Sequence, residues 1–259
     1  MIMKKSFGSV TASGRKALGT ILQLPSEELA EILGYAGLDL IILDMEHCPS
    51  DHGKIVSLVR ACEAADTLPF VRVPDVTDED SIKKALDAGA AGILVPNVES
   101  VSQARQAVEY GKFAPMGKRG ACPFVRANRF GQDDRSSYYE KANEETTIMI
   151  LVEGPEGVKT LPEIMKVEGV DVVQIGAVDL SVALGVPGQT THPKVREAIK
   201  QAAALAAENG KILSFYCDDS SDAEKVKDWP GIGIYLLPIP EDVLYKQYGG
   251  MLEELKKFC

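Results

Sequence analysis

Ionisable residues gather at the ends of short apolar runs in this chain. Asp44, Glu46 and His47 close the run LDLIILD (38–44), Arg72 sits within VRVP (71–74), Glu153 follows TIMILV (147–152), and Asp179 lies in GAVDLS (176–181). Two carboxylates, Glu153 and Asp179, can hold a hard divalent cation and leave its other positions to water and substrate oxygens. A plainer reading stands beside it, in which Asp179 caps a short helix, DLSVALG, and Glu153 begins another. His47 is one of three histidines; beside Asp44, Glu46 and an arginine it suits general-base work near neutral pH, or is a loop histidine bonded to its neighbours. His52 and His192 read as loop or cap residues. Arg72 lies in an otherwise apolar stretch, and a buried arginine needs an anionic partner, either a site carboxylate or an anionic substrate. Asp87, in ALDAGA, falls in the last turn of a predicted helix. The helix dipole disfavours a carboxylate there by about 0.3–1 kcal/mol, which invites a compensating role such as orienting a histidine, or a solvated surface position.

These residues need elements to position them, and the chain alternates two kinds. Apolar, β-branched runs at 17–22, 38–44, 69–73, 91–96, 147–152, 170–176, 211–217 and 232–238 read as strands buried on both faces. Stretches with helical spacing lie between them at 26–36, 53–65, 78–88, 99–110, 156–166, 193–209, 220–228 and 240–257. Thr77 with Asp80 resembles a capping box for the third of these helices, and Gly89 ends it. Eight strands each followed by a helix give a single (β/α)8 TIM barrel domain over 1–259, an α/β fold whose active site lies at the strand C-termini. An open doubly wound sheet is the runner-up, but no GxGxxG follows the first strand. One connection, 111–146, is long enough to suggest function, and four arginines and a lysine crowd 118–135.

Composition narrows the classes. The 259 residues are 45% hydrophobic and 25% charged, ordinary globular proportions that exclude a disordered or fibrous chain. A net charge of −10 argues against nucleic acid and anionic membranes as partners, since both demand a basic face. No apolar run approaches the roughly 18 residues that span a bilayer. The opening MIMKKSFGSV has no apolar stretch behind its lysines and does not read as a secretory signal. Five cysteines at 48, 62, 122, 217 and 259, without a CxxC pair, fit small buried hydrophobes, with Cys259 a free terminal thiol, in a reducing cytoplasm better than a disulfide framework.

Taken in order, DxEH at 44–47, VRVP at 71–74, LDAGAxGILVP at 86–96, PMGKRG at 115–120, the glutamate after the fifth strand and GAVDLS at 176–181 resemble the HpcH/HpaI aldolases. These are class II, metal-dependent pyruvate aldolases of the phosphoenolpyruvate/pyruvate-type barrels. The likeness covers roughly residues 18–200 and weakens after 210. It implies cleavage of a 4-hydroxy-2-oxo acid to pyruvate and an aldehyde, with a divalent cation (Mg²⁺, Mn²⁺ or Co²⁺) on Glu153 and Asp179. It implies that Arg72 contacts the pyruvate oxygens, that His47 and Asp87 form an acid–base dyad, and that the backbone of Gly176, Ala177 and Val178 holds the substrate carboxylate. It also implies a homo-oligomer, commonly a hexamer, in which helix 240–257 packs on a neighbouring subunit. The chain departs from the pattern at Leu151, where many relatives carry glutamine, and through 120–131, where Arg126 or Arg129 is expected to bind a second anionic group. An oxaloacetate-using decarboxylase or citrate-synthase-like enzyme on the same enolate machinery is the alternative. A non-catalytic barrel that binds an anionic metabolite is a third reading, disfavoured by the retention of His47, Arg72, Glu153 and Asp179.

Overall fold

All eight apolar runs form strands, because a residue run that is apolar on both sides can be buried on both faces of a parallel sheet. The strands are β1 (Ala17–Leu22), β2 (Leu40–Asp44), β3 (Leu68–Arg72), β4 (Gly92–Val95), β5 (Thr147–Val152), β6 (Val172–Ile175), β7 (Ile212–Tyr216) and β8 (Ile232–Leu236). In this computed structural model, which describes residues 5–12, 14–132 and 134–259, they pair in parallel in sequence order and β8 closes on β1. The expected (β/α)8 barrel is therefore formed. The open-sheet alternative is excluded by the β1–β8 pairing. Of the N-terminal stretch read for a signal, Met1–Lys4 lie outside the described residues.

Alternation along each strand divides the apolar residues into two cores. Leu40, Ile42, Phe70, Leu94, Met149, Val172 and Ile234 fill the barrel interior, and Ile41, Leu43, Val71, Ile93, Ile150 and Val173 face the surrounding helices. Phe70 is fully buried in the interior and dictates its neighbour: a Cβ on Gly92 would lie 2.6 Å from the Phe70 ring and 2.4 Å from the Thr147 carbonyl. A five-residue helix that the sequence pattern did not disclose, α1 (Phe7–Thr11), closes the N-terminal end. Its Phe7 ring meets Phe70 edge-on with centroids 5.8 Å apart.

The helices after the strands follow the sequence pattern closely: α2 (Glu27–Tyr35), α3 (His52–Ala64), α4 (Glu79–Ala88) and α5 (Val101–Gly111) in the first half. The N-cap of α4 is Asp78, which accepts from the Ser81 N–H, and not the Thr77–Asp80 box expected; Thr77 instead bonds Asp75. Gly89 ends α4 at φ 104°, a conformation that favours glycine.

The 111–146 connection holds a 3₁₀ turn at Arg126–Gly131 and a further helix, α6 (Arg135–Glu145). A connection from a helix end to a strand start must cross the N-terminal end of the barrel, opposite the strand C-termini. Its cations are engaged there: Lys118 with Glu109, Arg119 with Asp87, Arg126 with Glu63, and Arg135 over the Phe124 ring. Within the chain these cations therefore lie away from the strand C-termini.

The second half adds α7 (Pro155–Ile164), α8 (Ala177–Ala183), α9 (Pro193–Glu208), α10 (Ser220–Val226) and α11 (Pro240–Leu255). His192 caps α9, its ring nitrogen accepting from the Lys194 N–H, as a cap histidine should. Only Pro240 of α11 is buried; Tyr245, Tyr248 and Met251 are exposed. Cys48, Cys62 and Cys217 are buried as expected, while Cys122 and Cys259 are exposed; all five thiols are free. Burial pushes the Cys62 thiol up to about 12. Among the described residues no helix is long and apolar enough to cross a membrane.

Candidate active site

Asp44 and Arg72 end adjacent strands at paired register positions, so their side chains point the same way, into the open end of the barrel. Arg72 Nε donates to Asp44 Oδ1 at 2.9 Å and Nη2 to Oδ2 at 2.6 Å. Both residues are buried, and the arginine's anionic partner is therefore Asp44, with Glu46 as a second at 3.0 Å from Nη1. Burial opposes ionisation of Asp44, but the guanidinium outweighs it and holds the carboxyl below its ordinary range.

The loop after β2 winds around the same carboxylate. The Glu46 and His47 N–H groups both donate to Asp44 Oδ1, at 2.9 and 3.4 Å. Gln23, one residue past β1, donates to Oδ2 at 3.2 Å. His47 stands at the rim, its side chain 63% exposed.

Glu153 follows β5 and is half-buried. It accepts from the Asn97 N–H at 3.2 Å, across from β4. The helix beside it, α7, starts from Gly154, so Glu153 is not its cap. Burial, reinforced by repulsion from Asp179 and Glu46 and opposed by the Asn97 N–H, pushes its carboxyl up to about 7. Glu46 is likewise raised by burial against the pull of Arg72, with Asp44 and Asp179 adding repulsion. Asp179 lies in the first turn of α8, whose N-cap is Gly176, so the capping explanation for Asp179 does not hold either. Gly176 is needed for room: a Cβ there would lie 2.6 Å from Glu153 Cβ and 2.8 Å from Oε2.

Arg72 thus contacts Asp44 and Glu46, and Glu153 and Asp179 interact electrostatically with the same cluster. With four carboxylates beside Arg72 the cluster is net anionic. Among the described residues no group of three or more His, Cys, Asp or Glu forms a complete cage for a metal. Two hard oxygen donors, Glu153 and Asp179, with repulsion unrelieved between them, fit a divalent cation that completes its shell with water and substrate.

Two groupings that the resemblance implies are not complete within the chain. The Gly176 N–H is committed to the Val152 carbonyl at 2.9 Å, leaving Ala177 and Val178 to supply the first-turn amides of α8. Asp87 and His47 do not meet within the chain, because α4 runs back from the site and carries Asp87 to the N-terminal end. There Arg119 pairs with it at 2.6 Å and answers the dipole cost noted above. Gln23 and Asn97 carry no charge to single them out in the sequence, yet each lies within two residues of a strand C-terminus, the signal that marks the others.

A sequence model of the family described as HpcH/HpaI aldolase/citrate lyase matches residues 19–232. The chain belongs to that family. A 4-hydroxy-2-oxo-heptane-1,7-dioate aldolase of Escherichia coli is 37% identical over 210 residues, 81% of this chain and 79% of that protein. The HpcH/HpaI aldolase of Desulfitobacterium hafniense superposes with a TM-score of 0.91 at 28% identity, over 97% of this chain and 96% of that one. The citrate synthase SbnG superposes with a TM-score of 0.89, also at 28% identity, over 97% and 98% of the two chains. This HpcH/HpaI barrel therefore shares its architecture with an aldolase and with a citrate synthase, and its curated relatives include a 4-hydroxy-2-oxo-heptane-1,7-dioate aldolase and a 5-keto-4-deoxy-D-glucarate aldolase.

Proposed function

We propose that this chain is a class II aldolase, an aldehyde-lyase that cleaves a 4-hydroxy-2-oxo acid to pyruvate and an aldehyde. The observation that carries the reading is the pairing of a buried arginine with an unneutralised carboxylate cluster at the open end of a barrel of this family. Glu153 and Asp179 would hold Mg²⁺, Mn²⁺ or Co²⁺, which when bound supplies Lewis acidity to a 2-oxo acid. Arg72, fixed by Asp44, presents preorganised positive charge to the keto oxygen as the carbon–carbon bond breaks and negative charge grows there. The Ala177 and Val178 amides seat the substrate carboxylate at the start of α8. His47, exposed at the rim, takes the proton from the 4-hydroxyl.

The oxaloacetate reading uses the same groups, and the 37% identity to an aldolase places cleavage first. The exposed apolar face of α11, with Tyr245 80% exposed and Tyr248 65% exposed, supports a homo-oligomer, a hexamer by family likeness. Five free thiols support a cytoplasmic location. The test is pyruvate release from 4-hydroxy-2-oxo acids, read by a coupled dehydrogenase with each cation and with EDTA. Release that EDTA abolishes supports the reading; no release from any 4-hydroxy-2-oxo acid, with pyruvate formed only from oxaloacetate, replaces it with the second.

A further inference from the structure

His47 lacks Asp87 within the chain, yet a carboxylate stands beside it. Glu46 Oε2 lies 3.6 Å from His47 Nε2 and 3.0 Å from Arg72 Nη1. That oxygen is buried and forms no hydrogen bond of good geometry. The arrangement follows from the loop: with both N–H groups of residues 46 and 47 turned onto Asp44 Oδ1, Glu46 is directed inward, its side chain 14% exposed, and His47 outward.

We propose that Glu46 is a positioning residue that ties His47 to Arg72 through a single carboxylate oxygen. At 3.6 Å the contact with His47 is an ion-pair distance and not a hydrogen bond, so Glu46 acts on the imidazole through its charge. The charged groups that bear on Glu46 are Arg72 and His47, which attract it, and Asp44 and Asp179, which repel it; Glu153 feels the same repulsion from Glu46. One fixed negative charge thereby favours the protonated imidazolium that forms when His47 accepts a proton, and it keeps Arg72 from swinging toward the rim. The role of His47 as the base rests on the aldolase reading; its coupling to Glu46 does not.

The experiment compares parent, Glu46→Gln and Glu46→Asp. Each protein, free of metal and substrate, is labelled at histidine Cε1 and titrated by NMR, with the His47 resonance assigned through His47→Gln. The His47 resonance is expected to titrate about half a pH unit lower in Glu46→Gln, the size of a partly exposed ion pair. Glu46→Asp, which keeps the charge, is expected to shift it less. In turnover the Gln variant is expected to lose kcat about 10-fold with KM little changed, and the acid limb of its kcat profile moves to lower pH. A His47 titration identical in parent and Gln variant, with both folded, overturns the proposal. If the Gln variant does not fold, the Asp variant decides, since its shorter reach must still move the titration. A shifted titration in a protein without aldolase activity contradicts the aldolase reading and leaves this coupling standing.

Discussion

Asp44 and Arg72 meet across paired register positions of β2 and β3, joined by two hydrogen bonds of 2.9 and 2.6 Å in a buried setting. The pair fixes a guanidinium that also reaches Glu46 of the carboxylate cluster.

Breaking that pair from either side has different consequences. Asp44→Ala leaves a buried arginine with only Glu46, and unfolding in urea should show a loss of about 3–5 kcal/mol. Arg72→Lys keeps a charge but cannot reproduce the two-pronged geometry, so kcat should fall about 100-fold or more while the fold persists by circular dichroism. A lysine variant with parental kcat would remove Arg72 from the site.

Gly176→Ala tests the seat of Glu153. The added Cβ would lie 2.8 Å from Oε2, so the carboxylate must move. Calorimetric titration with Mn²⁺ should show affinity reduced about 10- to 100-fold in a folded protein. Unchanged affinity would show that Glu153 is not where the cation binds.

A third prediction concerns pH and lies far from the site. Arg15 holds Asp39 through contacts of 2.7 and 2.5 Å, and the Leu18 N–H donates to it as well, so its carboxyl sits below its ordinary value despite burial. A carboxyl lowered on folding stabilises the protein above its unfolded pKa, about 3.9, and that contribution is lost as pH falls through the lower folded value. Asp39→Asn should therefore be less stable than the parent near neutrality, with the gap closing below about pH 4. Urea midpoints across pH 3–7 (roughly the span of these carboxyls) measure it, and a gap independent of pH would contradict the assignment.

The barrel was legible because burial on both faces writes each strand as an apolar run, and Asp44, Arg72, Glu153 and Asp179 were legible because parallel strands bring their C-termini to one end. The cations of 118–135 do not mark the strand C-termini, because a segment between a helix end and the next strand lies at the opposite end of the barrel. Helix α6, RSSYYEKANEE, was unreadable by periodicity because it buries only Asn143, which bonds the Phe113 backbone. Helix α1 is too short to show a period and is held by Phe7 and Val10 alone in the barrel's end. Asp87 was placed beside His47 by family likeness, and the course of α4 separates them within the chain.

In the proposed reaction Glu153, Asp179 and Arg72 together stabilise an enolate of pyruvate. The most direct measurement of this is exchange of the pyruvate methyl protons in deuterated water, followed by NMR with Mg²⁺, Mn²⁺ or Co²⁺ and again with EDTA. Exchange that requires the cation and is lost in Glu153→Ala and Arg72→Ala is the predicted result. No exchange with any cation, or exchange that survives in both variants, would contradict the account.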